Sequence, residues 1–174
     1  MIVIKTQNRY IKTKIPAPGT KKIIKSLEKS ESRSMQGQLP IVWSKADGHS
    51  LFDIAGNKFI DFTSTIFVTN IGHSNSNLIK NLKKTLDKKL LHSYAYFNKC
   101  REEYLKSLVK FAGKNFQKAF LMSAGTEATE AALKLMRLYG QKEKKRKLGI
   151  ICIDGNWHGR TMGAQMMSGN NKQK

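Results

Sequence analysis

Residues 118–154 contain an apolar run, a turn of small residues, a helix with an apolar stripe and a second apolar run, in that order. The first run is KAFLM, the turn spans Ser123 to Thr126, and the second run is KLGIICID. Between the runs, apolar residues recur at helical spacing at Ala128, Ala131, Ala132, Leu135 and Met136. This order predicts an α/β fold built on a β-α-β unit, with two parallel strands and a right-handed crossover.

The turn lies at the amino end of the predicted helix and therefore predicts an anion site. The first N–H groups of a helix have no intrahelical acceptor, and the positive end of the macrodipole attracts an anion, most often phosphate. Gly125 lets the backbone approach a ligand closely, and the Thr126 hydroxyl can add a donor. The alternative is that Ser123 and Thr126 only cap the helix. Neither a GK[ST] ending nor a GxGxxG pattern is present, so a nucleoside-triphosphate loop or a dinucleotide fingerprint is not supported.

The second apolar run ends in DGNWHGRT, which we expect to lie near the turn. Ligands of open parallel sheets bind beyond the carboxyl ends of the strands. Trp157 offers a stacking face, His158 a titratable group, and Arg160 a fork suited to a carboxylate. Singly, they are also explained as a core tryptophan, a loop histidine and a surface arginine. Together, beside an anion turn, they indicate a site for a phosphorylated aromatic cofactor acting on an amino acid.

The rest of the chain predicts two further regions. Residues 1–39 are polar and basic, contain Pro16, Pro18 and Gly19, and predict an extended arm with little core and a helical stretch at 21–29. In the next region two turn signals, ADGHS and DIAGN, separate short runs rich in β-formers. They predict an antiparallel meander with strands at 41–45, 50–53 and 58–62.

Beyond residue 71 the apolar spacing changes to that of helices, over about 78–91 and again over 99–113. We therefore divide the chain into an arm (1–39), the meander region (40–70) and a third region with the two helices and the β-α-β unit (71–174).

The charge of the chain, +20 at pH 7, is compatible with a nucleic-acid partner. However, 26 of the 32 basic residues are lysines spread along the sequence, without an arginine cluster. Nucleic-acid binding and another phosphate-binding α/β protein are therefore kept as alternatives. Cys100 and Cys152 have no ligand spacing, so we expect no disulfide framework, no metal site and a reduced, cytoplasmic location. No window predicts a signal peptide or a membrane span.

Three stretches resemble one known family: SAGTEATEAALKLMR, WHGRT and, upstream, DGHSLFDIAGNKFIDFTSTIFVTNIGHSN. They are similar to the class III (omega-amino-acid type) aminotransferases, which are pyridoxal-phosphate enzymes of the aspartate-aminotransferase fold. The resemblance extends from about residue 14 to the end. It implies a partial fold type I transferase, in which residues 40–70, the small antiparallel meander, are the amino-terminal part of a small domain. Residues 71–174 would then be the start of a large, mostly parallel-sheet domain that is incomplete. The implied reaction transfers an amino group from an amino donor, an omega-amino acid or similar, to a 2-oxo acid.

The resemblance also implies roles for individual positions. Gly125 and Thr126 stand where the family binds the cofactor phosphate, and Trp157 stands where an aromatic residue stacks on the pyridine ring, with His158 beside it in the cofactor site. Ile66 corresponds to a residue that contacts substrate, and Arg160 to one that binds a substrate carboxylate. Two positions depart from the family pattern: Thr65 replaces a common glycine, and Trp157 replaces the more usual Tyr or Phe.

In the family, the lysine that binds the cofactor covalently and the aspartate that pairs with the pyridine nitrogen follow these motifs at a distance. We therefore expect the chain to be the amino-terminal portion of such an enzyme, inactive by itself, and we assign no catalytic residue. The resemblance further implies a homodimer for the complete enzyme, without a membrane or nucleic-acid partner. The donor stays open among 4-aminobutyrate, ornithine derivatives and other amines.

Overall fold

The structure, a computed structural model, describes residues 3–35, 37–144 and 146–173. It separates into two compact units, residues 1–94 and 95–174. The division into arm, small domain and large domain stays a prediction. Residues 1, 2 and 36 of the predicted arm, and residues 145 and 174 of the predicted large domain, lie outside the described residues.

The first unit is built on an antiparallel sheet of five short strands: β1 (Ile4–Lys5), β2 (Tyr10–Ile11), β3 (Trp43–Asp47), β4 (Ser50–Asp53) and β5 (Lys58–Ile60). Their order across the sheet is β1-β2-β5-β4-β3. The central hairpins bury Leu51, which lies opposite Ala46 on one side and Phe59 on the other. The meander formed by the last three strands was predicted, whereas the pairing of the first two strands into the same sheet was not.

A buried polar network attaches the amino-terminal residues to this sheet. The Asn57 side chain is fully buried; its Oδ1 accepts hydrogen bonds from the N–H groups of Lys12 at 2.7 Å and Thr13 at 3.1 Å. Its Nδ2 donates to Asp53 Oδ2 at 2.7 Å. Because buried polar groups must be paired, Asn57 fixes where the amino-terminal segment crosses the sheet. Three of the described residues of this segment are buried, namely Ile11, Ala17 and Thr20, which agrees with the expectation of little core in residues 1–39.

The helices at 78–91 and 99–113 are confirmed with slightly different bounds. Each begins after an asparagine, Asn75 or Asn98, whose Oδ1 accepts from two N–H groups of the first turn. An asparagine cap of this kind pairs N–H groups that have no acceptor within the helix, and so fixes the residue at which the helix begins. The helices of the described residues are α1 (Thr20–Leu27), α2 (Ser64–Phe67), α3 (Ser76–Asp87), α4 (Lys99–Ala112), α5 (Gly125–Glu143) and α6 (Met162–Met166). Among them, none is long and apolar enough to cross a membrane.

The prediction of two buried parallel strands in the second unit is wrong. Neither 118–122 nor 147–154 forms a strand, and both are largely exposed, as Phe120 at 73% and Ile151 at 100% show. Parallel strands are stable when further strands flank them and helices cover both faces. Within the described residues, α5 is the long helix between the two segments, and neither segment pairs with a strand. The apolar runs are therefore present without the sheet that would bury them.

Candidate functional site

The first turn of α5 is open at its amino end. Its N-cap residue is Ala124, which has extended backbone angles and forms no side-chain cap. The first intrahelical bond runs from Ala128 N–H to the Ala124 carbonyl, at 3.0 Å. The N–H groups of Gly125, Thr126 and Glu127 precede it and have no acceptor within the helix. Alanine is a poor cap, so the alternative of a purely structural capped turn loses its support.

There is space in front of this turn. A Cβ added at Gly125 would meet no heavy atom within 4 Å. The Ser123 N–H donates to Glu127 Oε2 at 2.9 Å, which ties the entering chain to the first turn of the helix. The turn thus combines unpaired N–H groups, the positive end of a 19-residue helix and room for an anion.

Residues 155–164, the crossing segment, pass across the same turn, as the sequence predicts. Thr126 Oγ1 lies 2.8 Å from Thr161 Oγ1, and the Thr161 N–H donates to Thr126 Oγ1 at 3.4 Å. Gly159 lies directly against Thr126, because a Cβ at position 159 would overlap the Thr126 side chain. Its φ of 126° is also one that residues with a side chain rarely adopt. Glycine is therefore required here for the two segments to meet.

Glu130, one turn along α5, secures the crossing segment at a second point. Its Oε1 accepts from the N–H groups of Gly163 at 2.8 Å and Ala164 at 3.2 Å, at the start of α6. The pKa of Glu130 lies below its ordinary value, chiefly because of its hydrogen bond with the Thr161 hydroxyl. The Ala164 and Gly163 N–H groups lower the pKa further, while desolvation of the carboxylate opposes these effects. Ionised Glu130 thus acts as the acceptor for the uncapped amino end of α6.

Three residues suggested by the sequence lie on the crossing segment. Trp157 is 56% exposed, so its ring has a free face, and the Arg160 guanidinium lies 5.9 Å from the ring centroid in a cation–π contact. His158 Nε2 lies 2.9 Å from the Asn156 side-chain amide nitrogen. Gly125, Thr126, Trp157, His158 and Arg160 all belong to the second unit.

Ile66 belongs to the first unit and lies in an unusual turn. All four residues of α2 have positive φ, between 44° and 74°, and Thr65 and Ile66 are in the left-handed helical region. Ile66 is 76% exposed. Its assignment to a substrate pocket stays a prediction.

Asp61 and His73 anchor that turn. Asp61 Oδ1 accepts from the N–H groups of Thr63 at 2.8 Å and Ser64 at 3.1 Å, and Asp61 Oδ2 lies 2.7 Å from His73 Nε2. The hydrogen bond with His73 is the main reason that the pKa of Asp61 is lowered to about 2. Desolvation opposes this shift, and the Thr63 and Ser64 donors add to it. The carboxylate of Asp61 therefore stays ionised and binds residues on both sides of the turn, Thr63 and Ser64 at its start and His73 after it.

The second-unit residues fit a phosphorylated aromatic cofactor. Uncapped N–H groups and empty space at Gly125 suit a phosphate, and the exposed Trp157 face suits a planar ring. Sequence reasoning missed Glu130, Thr161 and Gly159 as parts of this arrangement. The signal for Glu130 was present, since it follows Thr126 by four residues and so lies on the same helix face.

Comparison with known proteins shows which family the sequence matches. The family model described as "Aminotransferase class-III" matches residues 32–174. The acetylornithine aminotransferase of Clostridium acetobutylicum is 36% identical over 150 residues, which are 84% of this chain and 38% of that protein. Ornithine aminotransferase 2 of Staphylococcus aureus is 39% identical over 133 residues, 75% of this chain and 33% of that protein. The chain thus spans less than two fifths of the length of these relatives.

Solved structures show the same fold. The crystal structure of acetylornithine aminotransferase from Elizabethkingia anophelis superposes with a TM-score of 0.64 at 30% identity, over 72% of this chain and 32% of that one. Ornithine aminotransferase from Toxoplasma gondii gives a TM-score of 0.76 at 22% identity, over 94% of this chain and 37% of that one. The α/β architecture of this chain is therefore part of fold type I.

Proposed function

Because the chain belongs to the class-III aminotransferase family, whose members are pyridoxal-phosphate enzymes, we propose that it supplies the phosphate turn and the ring-stacking face of such an enzyme. The proposed reaction moves an amino group from an amino donor to a 2-oxo acid. The observation that carries the proposal is the uncapped first turn of α5, crossed by the segment with Trp157.

Each residue has a defined task in this proposal. The N–H groups of Gly125 and Thr126 bind the cofactor phosphate, and Trp157 stacks on the pyridine ring. Pyridoxal phosphate, when bound, supplies the electron sink that the transfer of an amino group requires. His158 lies in the cofactor site beside the ring, and Arg160 binds a substrate carboxylate through its guanidinium fork.

The substrate class is also part of the proposal. The relatives are named acetylornithine and ornithine aminotransferases, which favours a donor that carries its reacting amine at the end of a short chain. Ile66 is the proposed apolar contact for that chain. We further propose a homodimeric enzyme in the cytoplasm that binds neither membranes nor nucleic acid; Cys100 and Cys152 are both free thiols, which suits a reducing compartment.

Calorimetric titration of the 174-residue chain with pyridoxal phosphate, pyridoxal and adenosine monophosphate tests the proposal. We expect pyridoxal phosphate to bind, pyridoxal to bind about tenfold or more weakly because it lacks the phosphate, and adenosine monophosphate not to compete. Trp157→Ala should weaken binding of pyridoxal phosphate about tenfold, while the matched variant Trp157→Phe keeps a stacking face and most of the affinity.

Two other results would overturn the proposal in favour of the alternatives. Equal affinity for the nucleotide and for pyridoxal phosphate would indicate a general phosphate-binding protein. Binding of DNA or RNA whose affinity falls steeply with salt, without binding of pyridoxal phosphate, would indicate a basic nucleic-acid-binding protein.

A further inference from the structure

The amino end of α6 is held by α5 and not by its own sequence. Its N-cap residue, Thr161, forms no side-chain cap on α6. Instead, the N–H groups of Gly163 and Ala164 donate to Glu130 Oε1 at 2.8 and 3.2 Å. A single carboxylate therefore replaces the cap that the short helix lacks, with two charge-assisted hydrogen bonds.

The fit between the two helices at this point is close. A Cβ added at Gly163 would overlap both the Glu130 carboxylate and the Leu133 side chain. Ala164 is fully buried and Met167 nearly so, which makes this contact one of the few buried apolar places of the second unit. Any displacement of Glu130 is therefore transmitted directly to the start of α6.

The same segment reaches the phosphate turn through Thr161. Thr161 Oγ1 lies 2.8 Å from Thr126 Oγ1, and Thr126 precedes Glu130 by four residues on the same face of α5. The crossing segment is thus gripped at two successive turns of one helix, at Thr126 and at Glu130. Gly159 and Trp157 lie just before these two attachment points.

From these contacts we propose that Glu130 is a positioning residue of the cofactor site. By binding the amino end of α6 it holds Thr161 against Thr126, and so fixes the Thr126 hydroxyl and the stacking segment in front of the phosphate turn. This inference rests on the proposed function, because it assumes that the turn binds a phosphate.

The hydroxyl protons make the role of Glu130 testable. Thr161 has one hydroxyl proton, and both the Glu130 carboxylate and Thr126 Oγ1 are acceptors for it. A glutamine at position 130 can accept from Gly163 and Ala164 through its carbonyl, while its amide donates to Thr161. The Thr161 proton is then free for Thr126, and the Thr126 proton for the phosphate. Glu130→Gln also removes a negative charge near the anion site.

The experiment measures two quantities on Glu130→Ala, Glu130→Gln and the control Glu143→Ala, all in the 174-residue chain. Glu143 is an exposed glutamate at the other end of the same helix. The first quantity is the affinity for pyridoxal phosphate and for inorganic phosphate, from calorimetric titration. The second is the hydrogen-exchange rate of the Gly163 and Ala164 amides, from NMR without ligand.

We expect Glu130→Ala to weaken the binding of both ligands about tenfold and to speed exchange of both amides about tenfold, because two charge-assisted hydrogen bonds are lost. Glu130→Gln should bind at least as tightly as the wild type and keep slow exchange. Glu143→Ala should change neither quantity. A difference of this kind between Glu130→Ala and Glu130→Gln separates a positioning role from a loss of folding, because the isosteric glutamine variant keeps the affinity for both ligands.

Each other outcome contradicts the proposal in a distinguishable way. Wild-type chain that binds neither ligand would refute the proposed function and the inference together. Binding that Glu130→Ala leaves unchanged would refute the inference alone. An equal loss in Glu130→Ala and Glu130→Gln would show that the charge, and not the cap of α6, is what matters.

Discussion

Replacement of Thr65 by glycine is expected to stabilise the first unit. Thr65 has φ 54° and ψ 47°, in the left-handed region, where a residue with a Cβ costs roughly 1–2 kcal/mol and a β-branched one is a clear outlier. Glycine removes that cost but adds about 0.5–1 kcal/mol of backbone entropy in the unfolded chain. The side chain of Thr65 is exposed. The difference between the middle values leaves a net gain of about 0.75 kcal/mol in the free energy of unfolding, within bounds of about 0 and 1.5 kcal/mol.

Urea unfolding followed by circular dichroism measures this gain as a higher midpoint at unchanged slope. The matched control is Thr85→Gly, which places the same substitution inside α3, where the backbone is helical; it should cost about 0.3 kcal/mol, the difference between the helix propensities of threonine and glycine. A loss of stability in Thr65→Gly similar to that in Thr85→Gly would refute the left-handed turn. The resemblance to the family, in which a glycine is common at this position, points the same way.

Two further predictions concern acid stability and the crossing segment. Since hydrogen bonding to His73 holds the pKa of Asp61 at about 2, below its ordinary 3.8, ionised Asp61 stabilises the fold above about pH 4, and this stability is lost as the pH falls to about 2. The wild type should therefore lose about 2 kcal/mol more than Asp61→Asn between pH 5 and pH 2 in urea unfolding, and parallel curves would contradict this. Gly159→Ala should cost about 2 kcal/mol or more and weaken binding of pyridoxal phosphate, because the new Cβ overlaps Thr126. Gly113→Ala, also at positive φ but in open space, should cost about half as much; equal costs would show that no overlap occurs.

Local patterns in the sequence predicted the helices and hairpins, whose formation depends on local interactions. The spacing of leucines in α3 and the turn signals around β4 were sufficient, because each helix or hairpin forms from residues near one another in the chain. The start of α5 was predictable for the same reason, since Gly125 and Thr126 open a helix whose apolar stripe begins at once.

Long-range contacts were not predictable in this way. The strand β2 pairs with β5 at Tyr10 and Lys58, and the adjacent Lys12 binds Asn57, which lies 45 positions away and whose buried network has no periodic signature. The apolar runs at 118–122 and 147–154 have the composition of strands, but composition does not supply the neighbours that strands need. The contact of Glu130 with α6 likewise joins residues 33 positions apart.

The central claim is that the first turn of α5 binds the phosphate of the cofactor. The most direct measurement is the amide chemical-shift change of the isotope-labelled chain on titration with pyridoxal phosphate, followed residue by residue by NMR. The account predicts the largest saturable shifts at the backbone amides of Gly125, Thr126 and Glu127, together with the Trp157 indole. Saturable shifts confined to other residues, or no saturable shift at this turn, would contradict it.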